Sequence, residues 1–145
     1  MATTGIYLNF ARTTEDAFLF YQSVFGGEFE GGISRMGDML VTDDMPEIVE
    51  ADKNLVMHVA LPILGGVLLM GTDASESMGF KVEPGNNIYI SLHPDTRGEA
   101  DRLFAVLTEG GKAEMPMQEM FWGDYYGSLT DQFGIQWVIN CTGTE

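Results

Sequence analysis

An α+β fold built from two βαβββ modules is what this sequence predicts, and three observations carry the prediction. Strand, helix and three further strands succeed one another twice, over about 5–71 and about 86–141. Each helix is stopped by a glycine pair, first Gly26-Gly27 and then Gly110-Gly111. Each module also closes on a strand-turn-strand unit, at Gly65-Gly66 and at Asp131-Gln132-Phe133-Gly134. Residue identity between the halves is weak, so the duplication is one of element order. At 145 residues the two modules fit a single domain, 1–145.

The elements follow in order. The segment GIYLNFAR, residues 5–12, alternates and is rich in strand formers, which puts Ile6, Leu8 and Phe10 on one face. Thr13 or Thr14 caps the helix that follows, and Glu15 and Asp16 suit the positive end of its dipole. Ala17, Phe18, Tyr21, Val24 and Phe25 then recur at helical spacing. Residues 28–34 read as a second strand. Residues 36–53 lack periodicity, contain Pro46 and are rich in carboxylates, the composition of a long surface loop or lid. Residues 55–61 and 67–70 form a hairpin around Gly65-Gly66, and the polar stretch 71–87 is a linker or long turn.

In the second module the strand IYISLH, 88–93, leads into a helix with Thr96 and Glu99 at capping-box spacing. Ala100, Leu103, Phe104 and Leu107 share one face of that helix. Residues 112–117 and 125–130 are strands, and the turn at Asp131 leads into a last strand, 135–140. Each sheet is mostly antiparallel with a helix on one face. Its other face must be covered by the partner module or form the wall of a cleft.

Composition narrows the function classes. With 22 acidic against 7 basic residues the net charge is −15, which is a poor footprint for nucleic acid or anionic lipid. That acidity reads as a solubilising surface or as a cleft that steers cationic ligands. No apolar run approaches the length of a membrane span, and the longest candidate, 55–70, is broken by His58, Pro62 and Gly65-Gly66. The lone Cys141 can form no internal disulfide, and no secretory leader pattern opens the chain, so a cytoplasmic setting is expected. Gly26-Gly27 and Gly110-Gly111 follow helices instead of joining a strand to a helix, so no adenosyl-cofactor loop is present and no cofactor is expected.

Individual side chains offer several chemistries. His58 can serve as an acid, a base or a hydrogen-bond donor, or as a structural strand residue. A three-residue loop over 64–66 puts it on the face of Met70, and a two-residue turn puts it on the opposite face. His93 precedes Pro94 and reads as a turn residue. A metal site drawing on both histidines with Glu119 or Asp124 is the minor alternative. Asp131 opens a turn whose backbone N–H groups a carboxylate can accept. Trp122, Tyr125 and Tyr126 stand where large rings either wall a cavity or close a core. Cys141 has no histidine partner at recognisable spacing and is not expected to act as a nucleophile.

Three stretches carry a resemblance: ARTTEDAFLFYQSVFGGE, MHVALPILGGVLLMGTD and, most specifically, QEMFWGDYYGSLTDQFGIQWVIN. Over nearly its whole length the chain resembles the PhnB-like branch of the vicinal oxygen chelate superfamily, with glyoxalase I, bleomycin-resistance proteins and extradiol dioxygenases. The resemblance implies paired βαβββ modules whose sheets curl into a cup with helices on the outer face, a small-molecule ligand in the cup, and a homodimer. It also aligns the superfamily's metal ligands with Ile6, Met70, Ile88 and Val138, all apolar, so no metal is expected there. The implied cavity is lined by Leu8, Met70, Ile88, Trp122, Tyr126 and Val138. His58 is the candidate catalytic residue, since the branch frequently has histidine at that place. The methyltransferase label the branch has sometimes carried finds no support in these residues. Two readings follow: a module that binds a small apolar or cationic molecule, or a metal-independent lyase or isomerase using His58 or a cleft carboxylate.

Overall fold

The computed structural model describes residues 1–38 and 48–145, so half of the loop expected over 36–53 lies outside the described residues. The chain divides into two compact units, Met1–Glu83 and Pro84–Glu145.

The first unit comprises β1 (Ile6–Phe10), α1 (Thr14–Phe25), β2 (Ser34–Arg35), β3 (Val56–Pro62) and β4 (Leu68–Asp73), in the sheet order β1-β4-β3-β2. β1 runs parallel to β4, and the other pairs are antiparallel. Alternation explains the core. Phe10, Val59, Leu61 and Leu69 are buried together with Ala17, Phe18 and Tyr21 of α1, which packs on β3 and β4. Gly71 allows this approach, because a Cβ there would collide with the Phe18 ring.

Two expectations change here. The strand expected over 28–34 shrinks to Ser34–Arg35, because Gly31 and Gly32 both take positive φ and break the extended path. The Thr13 side chain makes no capping hydrogen bond. The buried Asp73 replaces it, accepting from Thr14 N at 3.1 Å and from Val56 N at 2.8 Å, so one carboxylate anchors the starts of both α1 and β3.

The second unit repeats the order with β5 (Ile90–Leu92), α2 (Arg97–Thr108), β6 (Lys112–Glu119), β7 (Tyr125–Thr130) and β8 (Gln136–Cys141), arranged β5-β8-β7-β6. Again the first strand is parallel to the last. Thr96 Oγ1 accepts from Glu99 N at 3.1 Å, the capping hydrogen bond that the sequence spacing predicts. Ala100, Leu103 and Leu107 of α2 are buried with Leu92, Leu129, Trp137 and Ile139. β6 shifts register against β7 on both sides of Met115, around Pro116, which has no N–H to give the ladder.

The aromatic signature near the C-terminus has a structural cause. Asp131 Oδ1 accepts from Phe133 N at 2.8 Å and from Ile135 N at 3.0 Å. Its Oδ2 accepts from the indole N–H of the fully buried Trp137 at 2.8 Å. One carboxylate thus sets the turn between β7 and β8 and orients the largest core side chain.

Candidate functional site: the open sheet faces

Each sheet turns one face to its helix. The candidate chemistry lies on the other. In the first unit the register places Tyr7 beside Met70, Asn9 beside Thr72, and Ala60 across from Met70. The hairpin joining β3 and β4 has a three-residue loop, Leu64–Gly66, closed by Ile63 N donating to Val67 O at 2.8 Å. His58 therefore shares the face of Ala60 and Met70. It is half-buried there, pairs with Ser34 and has its ring 6.1 Å from that of Tyr7. Gly5 leaves space for the Met70 terminal methyl group, which a Cβ would approach to 2.8 Å.

The same register moves two expected positions. Leu8 pairs with Gly71 on the helix-packed side, not with Met70 on the open side. Ile6 pairs with Leu69 and is likewise on the helix-packed side. The residue that borders Met70 on the open face is Tyr7. The alternation of β1 was readable in the sequence, but which face met Met70 depended on a parallel pairing across more than 60 residues.

In the second unit the open face carries Ser91, Val138 and Ser128 in one row and Asn140 and Tyr126 in the next. Ile88 precedes β5 and is 77% exposed; its carbonyl accepts from Gln136 Nε2 at 2.9 Å. Tyr126 lies on the open face, and Trp122, in the turn before β7, is half exposed with its ring 6.4 Å from that of Tyr126. Tyr125 belongs to the opposite side: its hydroxyl donates to Asp101 of α2 at 2.6 Å, and the Arg97 guanidinium sits 5.0 Å from its ring. Glu119 pairs with Arg97 at 3.2 Å, and Asp124 accepts from Asn140 Nδ2 at 3.1 Å.

Sequence reasoning passed over a second set on this face. Glu114 accepts from Tyr89 Oη at 2.6 Å and from Thr130 Oγ1 at 2.6 Å. These hydroxyls, Thr130 first, hold its carboxyl below the usual glutamate range, while the same bond raises the Tyr89 phenol above its ordinary value. Ser91 Oγ and His93 Nε2 are hydrogen-bonded at 2.8 Å, two residues apart on one side of the strand. The only signal for them was the period-two spacing of Tyr89, Ser91 and His93.

A separate recess of about 320 Å³ in the first unit is lined by Arg12, Glu15, Asp16, Asn54, Val56 and Asp73 among others. Its main charges are engaged. Arg12 pairs with Asp52 at 2.9 Å and Arg35 with Glu15 at 2.8 Å. Asp52, which also accepts from Ser75 and Ser77, is held below the usual aspartate range by Ser77 and then Arg12.

Residues 7–139 match the family model of the Glyoxalase/Bleomycin resistance protein/Dioxygenase superfamily. The chain belongs to that superfamily. It is 30% identical to Protein YjdN of Escherichia coli (strain K12) over 139 residues, covering 92% of this chain and 91% of that protein. Protein PA1353 from Pseudomonas aeruginosa matches with a TM-score of 0.82 and 33% identity, over 97% of this chain and 98% of that one. The PhnB protein from Bacillus cereus matches with a TM-score of 0.71 and 24% identity, over 97% and 99%, a likeness of fold.

On the open faces Met70 is bordered by Tyr7 and Val138 by Ser91. A thioether, an alkyl group, a phenol and a hydroxyl do not form the imidazole and carboxylate set that a divalent ion needs. Among the described residues, no three His, Cys, Asp or Glu side chains gather closely enough to hold a metal ion. Also among the described residues, no helix is long and apolar enough to cross a membrane.

Proposed function

We propose that this PhnB-like member of the superfamily binds a small organic molecule on its open sheet faces without the superfamily's metal centre. The observation that carries the reading is the side-chain content around Met70 and Val138, two of the positions that the resemblance aligns with metal ligands: Met70 is bordered by Tyr7 and Val138 by Ser91. Half-exposed aromatic and thioether groups next to hydrogen-bonding side chains are the usual makings of an organic-ligand surface. Melting temperatures measured across a metabolite library, with and without EDTA, test it. At least one compound should raise Tm equally in both conditions. Stabilisation that needs an added divalent ion would sink the reading.

A second reading, a metal-independent lyase or isomerase, draws on His58, whose ring lies on the open face against Tyr7. Under it, purified protein in EDTA turns over a hemithioacetal, and His58→Ala lowers kcat by about 100-fold. Turnover that survives His58→Ala removes His58 from the chemistry.

A further inference from the structure

The open face of the second unit has a layout that selects for one kind of ligand. Tyr89 stands at the β5 edge of the sheet and Glu114 on β6 at the other edge, yet their side chains meet at 2.6 Å. Three inter-strand steps, about 14 Å, separate those edges in a flat sheet, so the phenol ring lies across the sheet. Tyr126 supplies a second ring on this face, and Trp122 packs edge-on to Tyr126. Ser91, Ser128 and Val138 form a floor of small side chains in the row between. The rings are only partly covered: Tyr89 is 39% and Trp122 49% exposed.

A carboxylate held by hydroxyls dominates the electrostatics of this face. Glu114 is hydrogen-bonded by two hydroxyls, which hold its carboxylate in place, and Lys112, beside Thr130, offsets its charge only at a distance, with no ion pair between them. A phenol that donates to a carboxylate gains electron density in its ring, which strengthens the attraction of the ring face for a cation. The chain as a whole carries −15, which raises the local concentration of cations further. A divalent metal would need a donor set that the described residues do not gather. Ring faces favour large, weakly hydrated cations.

We infer that the second unit's open sheet face binds an organic ammonium group over the rings of Tyr89, Tyr126 and Trp122, with the Glu114 carboxylate as counter-charge. This rests on the proposal that the open faces carry ligand, and it names the ligand class.

Choline and its uncharged carbon isostere 3,3-dimethyl-1-butanol are the probes, titrated by calorimetry and by tryptophan emission. Trp137 is fully buried and Trp122 half exposed, so a ligand-induced change in emission reports on Trp122. Choline should bind saturably and at least about tenfold tighter than the isostere. Glu114→Gln and Tyr126→Leu should each weaken choline by about fivefold or more, and Tyr89→Phe, which keeps the ring, by about two- to threefold. Circular dichroism establishes that each variant is folded, and Tyr89→Phe serves as the conservative substitution should Tyr126→Leu unfold. Equal binding of the two probes, or choline binding unchanged in both Glu114→Gln and Tyr126→Leu, overturns the inference. If choline fails while neutral or anionic metabolites raise Tm, the ammonium assignment falls and ligand binding stands. If nothing in either experiment binds, both fall.

Discussion

The two units share one plan on their helix-packed faces and part company on their open ones. Behind α1 and α2 the same alternation buries Leu69 and Leu61 in one sheet and Ile139 and Leu129 in the other. Each unit also sinks one aspartate into that side, Asp73 and Asp131, to gather N–H groups from separate elements. On the open side, the first unit presents Tyr7, His58, Ala60 and Met70, whereas the second presents Tyr89, Ser91, Glu114, Thr130 and Asn140. Packing against a helix constrains volume and polarity at every position. A face free of that constraint can diverge without cost to the fold, so ligand chemistry is best sought by comparing the open faces.

Neighbouring residues on opposite sides of one strand test this contrast most directly. Leu69→Ala and Ile139→Ala should each cost about 2–5 kcal/mol in urea unfolding, while Met70→Ala and Val138→Ala should cost under about 1.5 kcal/mol. A loss from Met70→Ala as large as that from Leu69→Ala would show that the open face is core, and the contrast would fail. Next in size are the aspartates. Asp131→Ala, which strands two backbone N–H groups and a buried indole, should lose about 3 kcal/mol, and Asp73→Ala, with two backbone donors, about 2 kcal/mol. The reverse order would mean that the indole bond adds little.

The smallest effect concerns pH and separates the open faces. The folded-state pKa of Glu114 lies below its unfolded value, so its contribution is present above about pH 4.3 and is lost as pH falls through the folded value. Tyr89→Phe removes one donor. The urea midpoint of Tyr89→Phe should lie slightly but measurably below that of the parent at pH 6, a small effect because the pair is exposed, and the gap should close toward pH 3. A gap that persists at pH 3 would show that the Tyr89 hydroxyl stabilises through something other than the ionised carboxylate.

Local chemistry made much of the fold legible. The Thr96 and Glu99 spacing, the glycine stops and the Asp131 turn each act within a few residues, and the structure contains them as written in the sequence. Non-local contacts hid the rest. Asp73 displaces the expected cap from 59 residues away, and Gly31 and Gly32 turn the chain where strand residues alone suggested extension. Which neighbour Leu8 meets was not legible because the parallel pairing of β1 with β4 sets that phase. Glu114 escaped notice because its meaning comes from Tyr89, 25 residues earlier, and Thr130, 16 residues later.

The bond between Asp131 and the Trp137 indole also bears on the order in which the second unit assembles. It closes a span of 6 residues, whereas pairing Ile90 with Trp137 must close nearly the whole unit. By the logarithmic dependence of closure entropy on length, the short span is favoured by roughly 2 kcal/mol in the unfolded chain. The carboxylate that finishes the turn in the native state is thereby suited to act as an early latch, holding β8 in register for the long-range parallel partner that must arrive after it.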